Sequence, residues 1–144
     1  MIDTKYIEYF FALKKVYTLH KKYNFGISPD IPSGYSESLC RSLFHLSPTD
    51  TQKNDAQKSN GDLVEIKATG TQEGKTTIST KGEFTELIWL YFDFENNLIK
   101  TYTIKKENFE LDSKKDRKSI RLKTIVETNN IDSIDFIFNL QKIL

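Results

Sequence analysis

The chain holds 144 residues, 38% of them apolar, with a net charge of +1; that length suits one domain, residues 1–144. No apolar run nears the ~20 residues of a membrane span and no signal peptide opens the chain, so a cytoplasmic protein with no membrane partner is expected. The lone Cys40 rules out an internal disulfide framework, a Cys/His zinc site with His20 and His45 is not expected, and nucleic-acid contact must rest on a local basic patch.

In chain order, residues 4–23 read as a helix. Tyr6, Ile7, Phe10, Phe11, Leu13, Val16, Tyr17 and Leu19 cover more than one narrow stripe, which suits a core helix or one with a second apolar face to spare. Residues 24–34 carry two prolines and two glycines and form a loop. An amphipathic helix over residues 35–46 follows, with Leu39, Leu43 and Leu46 on one side and His45 as a partly buried helix residue. Glu37 and Arg41 stand four apart, the spacing of a solvent-exposed pair worth roughly 0.2–0.5 kcal/mol. Residues 47–59 are polar until a hairpin begins.

That hairpin, residues 54–69, turns at Ser59-Asn60-Gly61-Asp62, because Asn-Gly is a strong hairpin signal. Its second strand alternates: Glu65 and Lys67 share one face, while Val64, Ile66 and Ala68 share the other. Asp55 on the first strand can reach the same spot. Two carboxylates make a hard-oxygen site for Mg²⁺, and a nearby lysine can orient a water for attack on phosphorus. Asp30, Asp50 and Asp62 compete with Asp55. Asp30 is separated by a helix and a polar loop, Asp50 suits turn chemistry, and Asp62 faces away in a regular strand. The Asp55 assignment carries a condition. A two-residue Asn60-Gly61 turn would pair Asp55 with Ile66, whereas an odd loop or a bulge pairs it with Glu65.

Beyond the hairpin, residues 69–82 read as a flexible glycine- and threonine-rich loop with Lys75 and Lys81. Residues 87–94 form a continuous apolar run, suited to a central strand covered on both faces, with Trp89 and Tyr91 in the core. Residues 98–104 return as a strand, and residues 105–111 suit a short helix. Residues 112–123 are basic (Lys114, Lys115, Arg117, Lys118, Arg121, Lys123), with strand-like alternation over residues 119–126. Residues 134–140 are apolar and fit a strand or a short helix equally.

Asp55, then Glu65-Ile66-Lys67 on a hairpin, resembles the PD-(D/E)XK nuclease signature, most closely in small Type II restriction endonucleases of the PvuII kind. The wider order of segments, from Ser36-Glu37-Ser38-Leu39 to Arg117-Lys118-Ser119-Ile120-Arg121, is similar to a compact family cutting short GC-containing sites. The resemblance implies an α/β, restriction-endonuclease-like fold with a mixed central sheet flanked by helices. It also implies Mg²⁺-dependent, sequence-specific cleavage of double-stranded DNA by a homodimer, with a cognate DNA methyltransferase in the same system. By this likeness Asp55, Glu65 and Lys67 are catalytic, the Ile66 backbone carbonyl and Glu37 are further metal ligands, and residues 4–23 are a candidate dimer surface. Lys75, Thr77, Ser79, Lys81, Arg117, Lys118, Arg121 and Lys123 are then candidate DNA contacts, with arginine forks suited to guanine. Structure-specific nucleases and toxin nucleases share the triad, and a non-catalytic DNA-binding module would use Glu65 and Lys67 only as a surface ion pair.

Overall fold

The computed structural model describes residues 2–49, 55–111 and 114–140. Helix α1 (Thr4–Tyr23) begins where the Asp3 carboxylate accepts the Lys5 N–H at 3.1 Å, a first-turn amide with no partner inside the helix. Helix α2 (Ser33–Phe44) starts earlier than its apolar spacing suggests, directly behind Pro32, and stops at His45. His45 is therefore not a helix residue but the left-handed cap, at φ 55°.

There follow β1 (Ala56–Gln57), β2 (Leu63–Thr69), β3 (Lys75–Ser79), β4 (Glu86–Asp93), β5 (Leu98–Lys105), a 3-10 turn (Lys106–Phe109), β6 (Arg117–Arg121), α3 (Leu122–Thr128) and β7 (Ile134–Ile137). Five strands form one sheet in the order β1-β2-β4-β5-β7, with β2 and β4 parallel and the other neighbours antiparallel. β3 and β6 pair separately as an antiparallel ribbon.

β4 explains the layering. Ile88, Leu90 and Phe92 point into a core with Tyr6, Ile7 and Phe10 of α1 and Leu39 and Cys40 of α2. Leu87 and Trp89 point the other way, onto Ile78 of the ribbon, Ile120, and Leu122 and Val126 of α3. The strand is covered on both faces, as its unbroken apolar run predicts, and each such buried side chain contributes about 1.5–3 kcal/mol. Trp89 is 1% exposed, and Tyr91 is half-buried.

Two expectations are corrected. Residues 69–82 are not a flexible loop throughout, since they contain β3, whose Ile78 is buried. The strand expected over residues 119–126 ends at Arg121. Leu122 and Val126, four apart, bury one helical face, while the Leu122 and Lys123 N–H groups donate to the Gly74 and Glu73 carbonyls at 3.0 and 3.2 Å. The undecided segment at the end resolves as the edge strand β7, tied in by Thr101 Oγ1 donating to the Ile134 carbonyl at 2.7 Å. Gly74 brings the ribbon onto the sheet: at φ +64°, a Cβ there would lie 2.6 Å from the Trp89 ring.

Candidate active site

The hairpin has the odd loop that the Asp55 assignment requires. Lys58 N–H donates to the Asp62 carbonyl at 2.9 Å, leaving Ser59, Asn60 and Gly61 as the loop, with Gly61 at φ +95°. The ladder pairs Ala56 with Val64 and Gln57 with Leu63 and ends before Asp55; continued by one residue, that register would set Asp55 against Glu65. Asp55 N–H also reaches the Val64 carbonyl at 3.2 Å, so two successive residues address one, as at a β-bulge.

The Asp55 carboxylate then turns to the strand edge, where Oδ2 accepts the Ile66 N–H at 2.8 Å. The N–H and C=O of a strand residue leave by the same edge. The Ile66 carbonyl therefore faces the side that the two-residue β1 leaves open beside Asp55. Lys67 Nζ lies 3.7 Å from Glu65 Oε1, and both side chains are half-buried. Glu37 arrives from α2 and, like Glu65, shares a carboxyl hydrogen bond with Asp55.

These acids crowd one another. Burial, then the charge of Asp55, push the Glu65 carboxyl up to about 8, against the pull of Lys67. Burial, then the hydrogen bond and charge of Asp55, push Glu37 up to about 7, with Arg41 and Lys67 opposing. Carboxyls crowded this closely favour added countercharge, of the kind a divalent cation would supply. Among the described residues, no three His, Cys, Asp or Glu side chains are drawn into a metal cage. Mg²⁺ does not need one, because it commonly keeps several waters and takes only one or two carboxylates. The donor chemistry of Asp55, Glu65 and the Ile66 carbonyl fits that ion.

Of the rival aspartates, Asp50 lies outside the described residues. Asp62 sits in the turn, its N–H bonded to Asn60 Oδ1 at 2.9 Å. Asp30 lines a cleft of about 710 Å³ that also takes in Ile66, Lys67, Thr69 and Lys75.

Six of the eight candidate DNA contacts, separate in sequence, meet in the ribbon. Lys75 pairs with Arg121, Thr77 with Ser119 and Ser79 with Arg117. Lys118 turns to the other face, where its Nζ donates to the Phe109 carbonyl at 3.0 Å. Lys81 pairs with Asp116 at 2.7 Å, and Lys123 lies in α3, 4.0 Å from Glu127. Lys114 belongs to the same basic stretch, whose Asp112 lies outside the described residues.

Arg41 was missed as a site residue. Among the described residues it makes no ion pair with Glu37; instead its Nη1 donates to the Asp55 backbone carbonyl at 3.2 Å, tying the strand edge to α2. The spacing of Glu37 and Arg41 signalled a shared helix face, but only the packing of α2 beside the hairpin turns that face onto the site.

A search of the curated proteins finds no match. The family model of the Bsp6I restriction endonuclease matches residues 3–128, nearly the whole chain. The chain belongs to the Bsp6I restriction endonuclease family and is a Type II, site-specific deoxyribonuclease.

Proposed function

We propose that this enzyme hydrolyses DNA by PD-(D/E)XK chemistry at the β1–β2 edge. Asp55, Glu65 and the Ile66 carbonyl would hold Mg²⁺, with Glu37 as the neighbouring acid. The observation that carries this reading is the convergence of Asp55, Glu65 and Lys67, with Lys67 Nζ 3.7 Å from Glu65. When bound, Mg²⁺ polarises the scissile phosphate and lowers the pKa of water. Lys67 orients the attacking water and offsets negative charge building on the phosphoryl oxygens. Water forms the new P–O bond as the bond to O3′ breaks, leaving a 5′-phosphate and a 3′-hydroxyl.

A homodimer suits this role, because a two-fold pair of subunits matches a palindromic duplex. The α1 side chains Tyr9, Val16 and Tyr23, exposed at 42%, 39% and 55%, support a subunit contact there. No helix among the described residues is long and apolar enough to cross a membrane. The reading places the enzyme in the cytoplasm, beside DNA and a methyltransferase that protects the same sites.

Digestion of a sequenced plasmid with Mg²⁺, beside Glu65→Ala, tests the reading. Discrete fragments whose ends share a short palindrome, absent for the variant, are expected. Cleavage by Glu65→Ala at the wild-type rate would remove this hairpin from the chemistry.

A further inference from the structure

We infer that the β3–β6 ribbon reads the base sequence from the major groove, with Arg117 and Arg121 as specificity-determining residues and the Thr77–Ser119 pair between them. This deepens the nuclease reading above and rests on it.

The ribbon has one free face. Ile78 and Ile120 fix the other against Trp89 and Leu122, at 1% and 9% exposure. Cross-strand partners share a face, so Lys75, Thr77 and Ser79 stand beside Arg121, Ser119 and Arg117 on the outer side. Every one of these six side chains is polar or cationic.

The outer face is costly for the protein alone. Lys75 opposite Arg121 sets like charges in a direct cross-strand pair, which is destabilising. Glu73, 3.5 Å from Lys75, offsets little because both side chains are more than half exposed. Among the described residues, neither the Arg117 nor the Arg121 guanidinium has an ion pair or a side-chain hydrogen bond. Lys118, the one cation of β6 that the fold employs, points away from this face. A face that stores unspent cationic donors fits an anionic, acceptor-rich partner.

Size selects the groove. The major groove, about 12 Å wide, admits a two-stranded ribbon as it stands, whereas the minor groove of about 6 Å must be deformed to take one. Arg117 and Arg121 are four residues apart on one strand, about 13 Å, which spans about four base-pair steps. Their forks match the O6 and N7 acceptors of guanine, and the hydroxyls between can pair with either kind of edge. The reading face also runs into the chemistry. Lys75 lines the groove beside Ser119 and Arg121, and it lines the cleft that holds Lys67.

The test uses a duplex carrying the sequence found at the cleaved plasmid ends. Its guanines are replaced in turn by 7-deazaguanine, which lacks the major-groove N7, or by inosine, which lacks only the minor-groove amine. Binding is read with Glu65→Ala protein, so discrimination is measured without turnover and a failure of the catalytic reading shows separately as cleavage by that variant. We expect Arg117→Ala and Arg121→Ala, added to Glu65→Ala, each to cut the preference for this duplex over a scrambled one on the order of 10- to 100-fold. One 7-deazaguanine should cost the arginine-bearing protein a similar factor and cost the matching Ala variant nothing more, while inosine is tolerated. Loss on inosine in place of 7-deazaguanine, additive losses at every position, or unchanged preference in both variants would each overturn the inference.

Discussion

The hairpin edge and the ribbon are opposite in charge and in how they hold it. At the edge, Glu37, Asp55 and Glu65 crowd together until two of them rise far above the ordinary carboxylate range. On the ribbon, Lys75, Arg117 and Arg121 stand exposed. A net charge of +1 conceals both. On the proposed reading the half-buried acids crowd because they would present a small, fixed set of oxygens to one ion. On the same reading the exposed bases would meet a long polyanion that supplies its own countercharge. Chemistry and reading are thus separable, and substitutions should divide them.

The sharpest division is at Lys67. Lys67→Ala should lower the single-turnover cleavage rate by about 10²–10⁴-fold. Its affinity for DNA, measured by gel retardation without Mg²⁺, should change little. Equal losses in binding and rate would instead place Lys67 among the phosphate contacts.

Arg41 should come next. It acts through the Asp55 backbone and touches neither ribbon nor cleft, so its loss should mimic loss of metal affinity. Arg41→Ala should raise the Mg²⁺ concentration for half-maximal cleavage on the order of 10- to 100-fold, with Arg41→Lys restoring part of it. DNA affinity of the two variants should match the wild type. A lower rate at saturating Mg²⁺ with unchanged Mg²⁺ dependence would reduce Arg41 to a packing residue.

Gly74 links the two regions mechanically, because its turn seats the ribbon on Trp89. Gly74→Ala places a methyl group 2.6 Å from that ring in a left-handed backbone, at an expected cost of about 1–3 kcal/mol. The melting temperature should fall, and DNA affinity should fall with it, while Mg²⁺ binding at the hairpin persists. Normal affinity in a destabilised protein would show that the ribbon reads DNA without its seat on the sheet.

How much of this was visible beforehand follows from how local each signal is. The hairpin lies within 16 residues, so its period-two pattern and turn chemistry specify its strands, whereas the three-residue loop follows only from asking Asp55 to share a face with Glu65 and Lys67. The double burial of β4 was equally legible, because an unbroken apolar run leaves no wet face. The ribbon was not. Lys75 and Arg121 meet across some 45 residues, and nothing in either segment names the other; only the shared alternation of Thr77 with Ile78, and of Ser119 with Ile120, hints at a common wall. Helix α3 was hidden because Ile120, Leu122 and Val126 satisfy a period of two at one end and of four at the other. The tertiary bonds from Gly74 and Glu73 decide between them.

The smallest effect concerns the acids without metal. Glu65 and Glu37 have folded-state values of about 8 and about 7, both above the ordinary 4.5, so the fold favours their protonated forms. Their contribution to stability is therefore fully present below the unfolded value and is lost as pH rises through the folded values. In EDTA, the melting temperature should decline by a few degrees between about pH 5 and about pH 9. Glu65→Gln carries no proton to lose, so it should melt close to the wild type at about pH 5 and above it at about pH 9. Saturating Mg²⁺ should close that gap from the other side, stabilising the wild type most where its carboxylates are ionised. Arg117→Ala and Arg121→Ala, on the ribbon, should leave this pH profile unmoved. A shift of the profile in those variants would mean that the acidic edge and the basic ribbon are electrostatically coupled, and that charge at one end sets the readiness of the other.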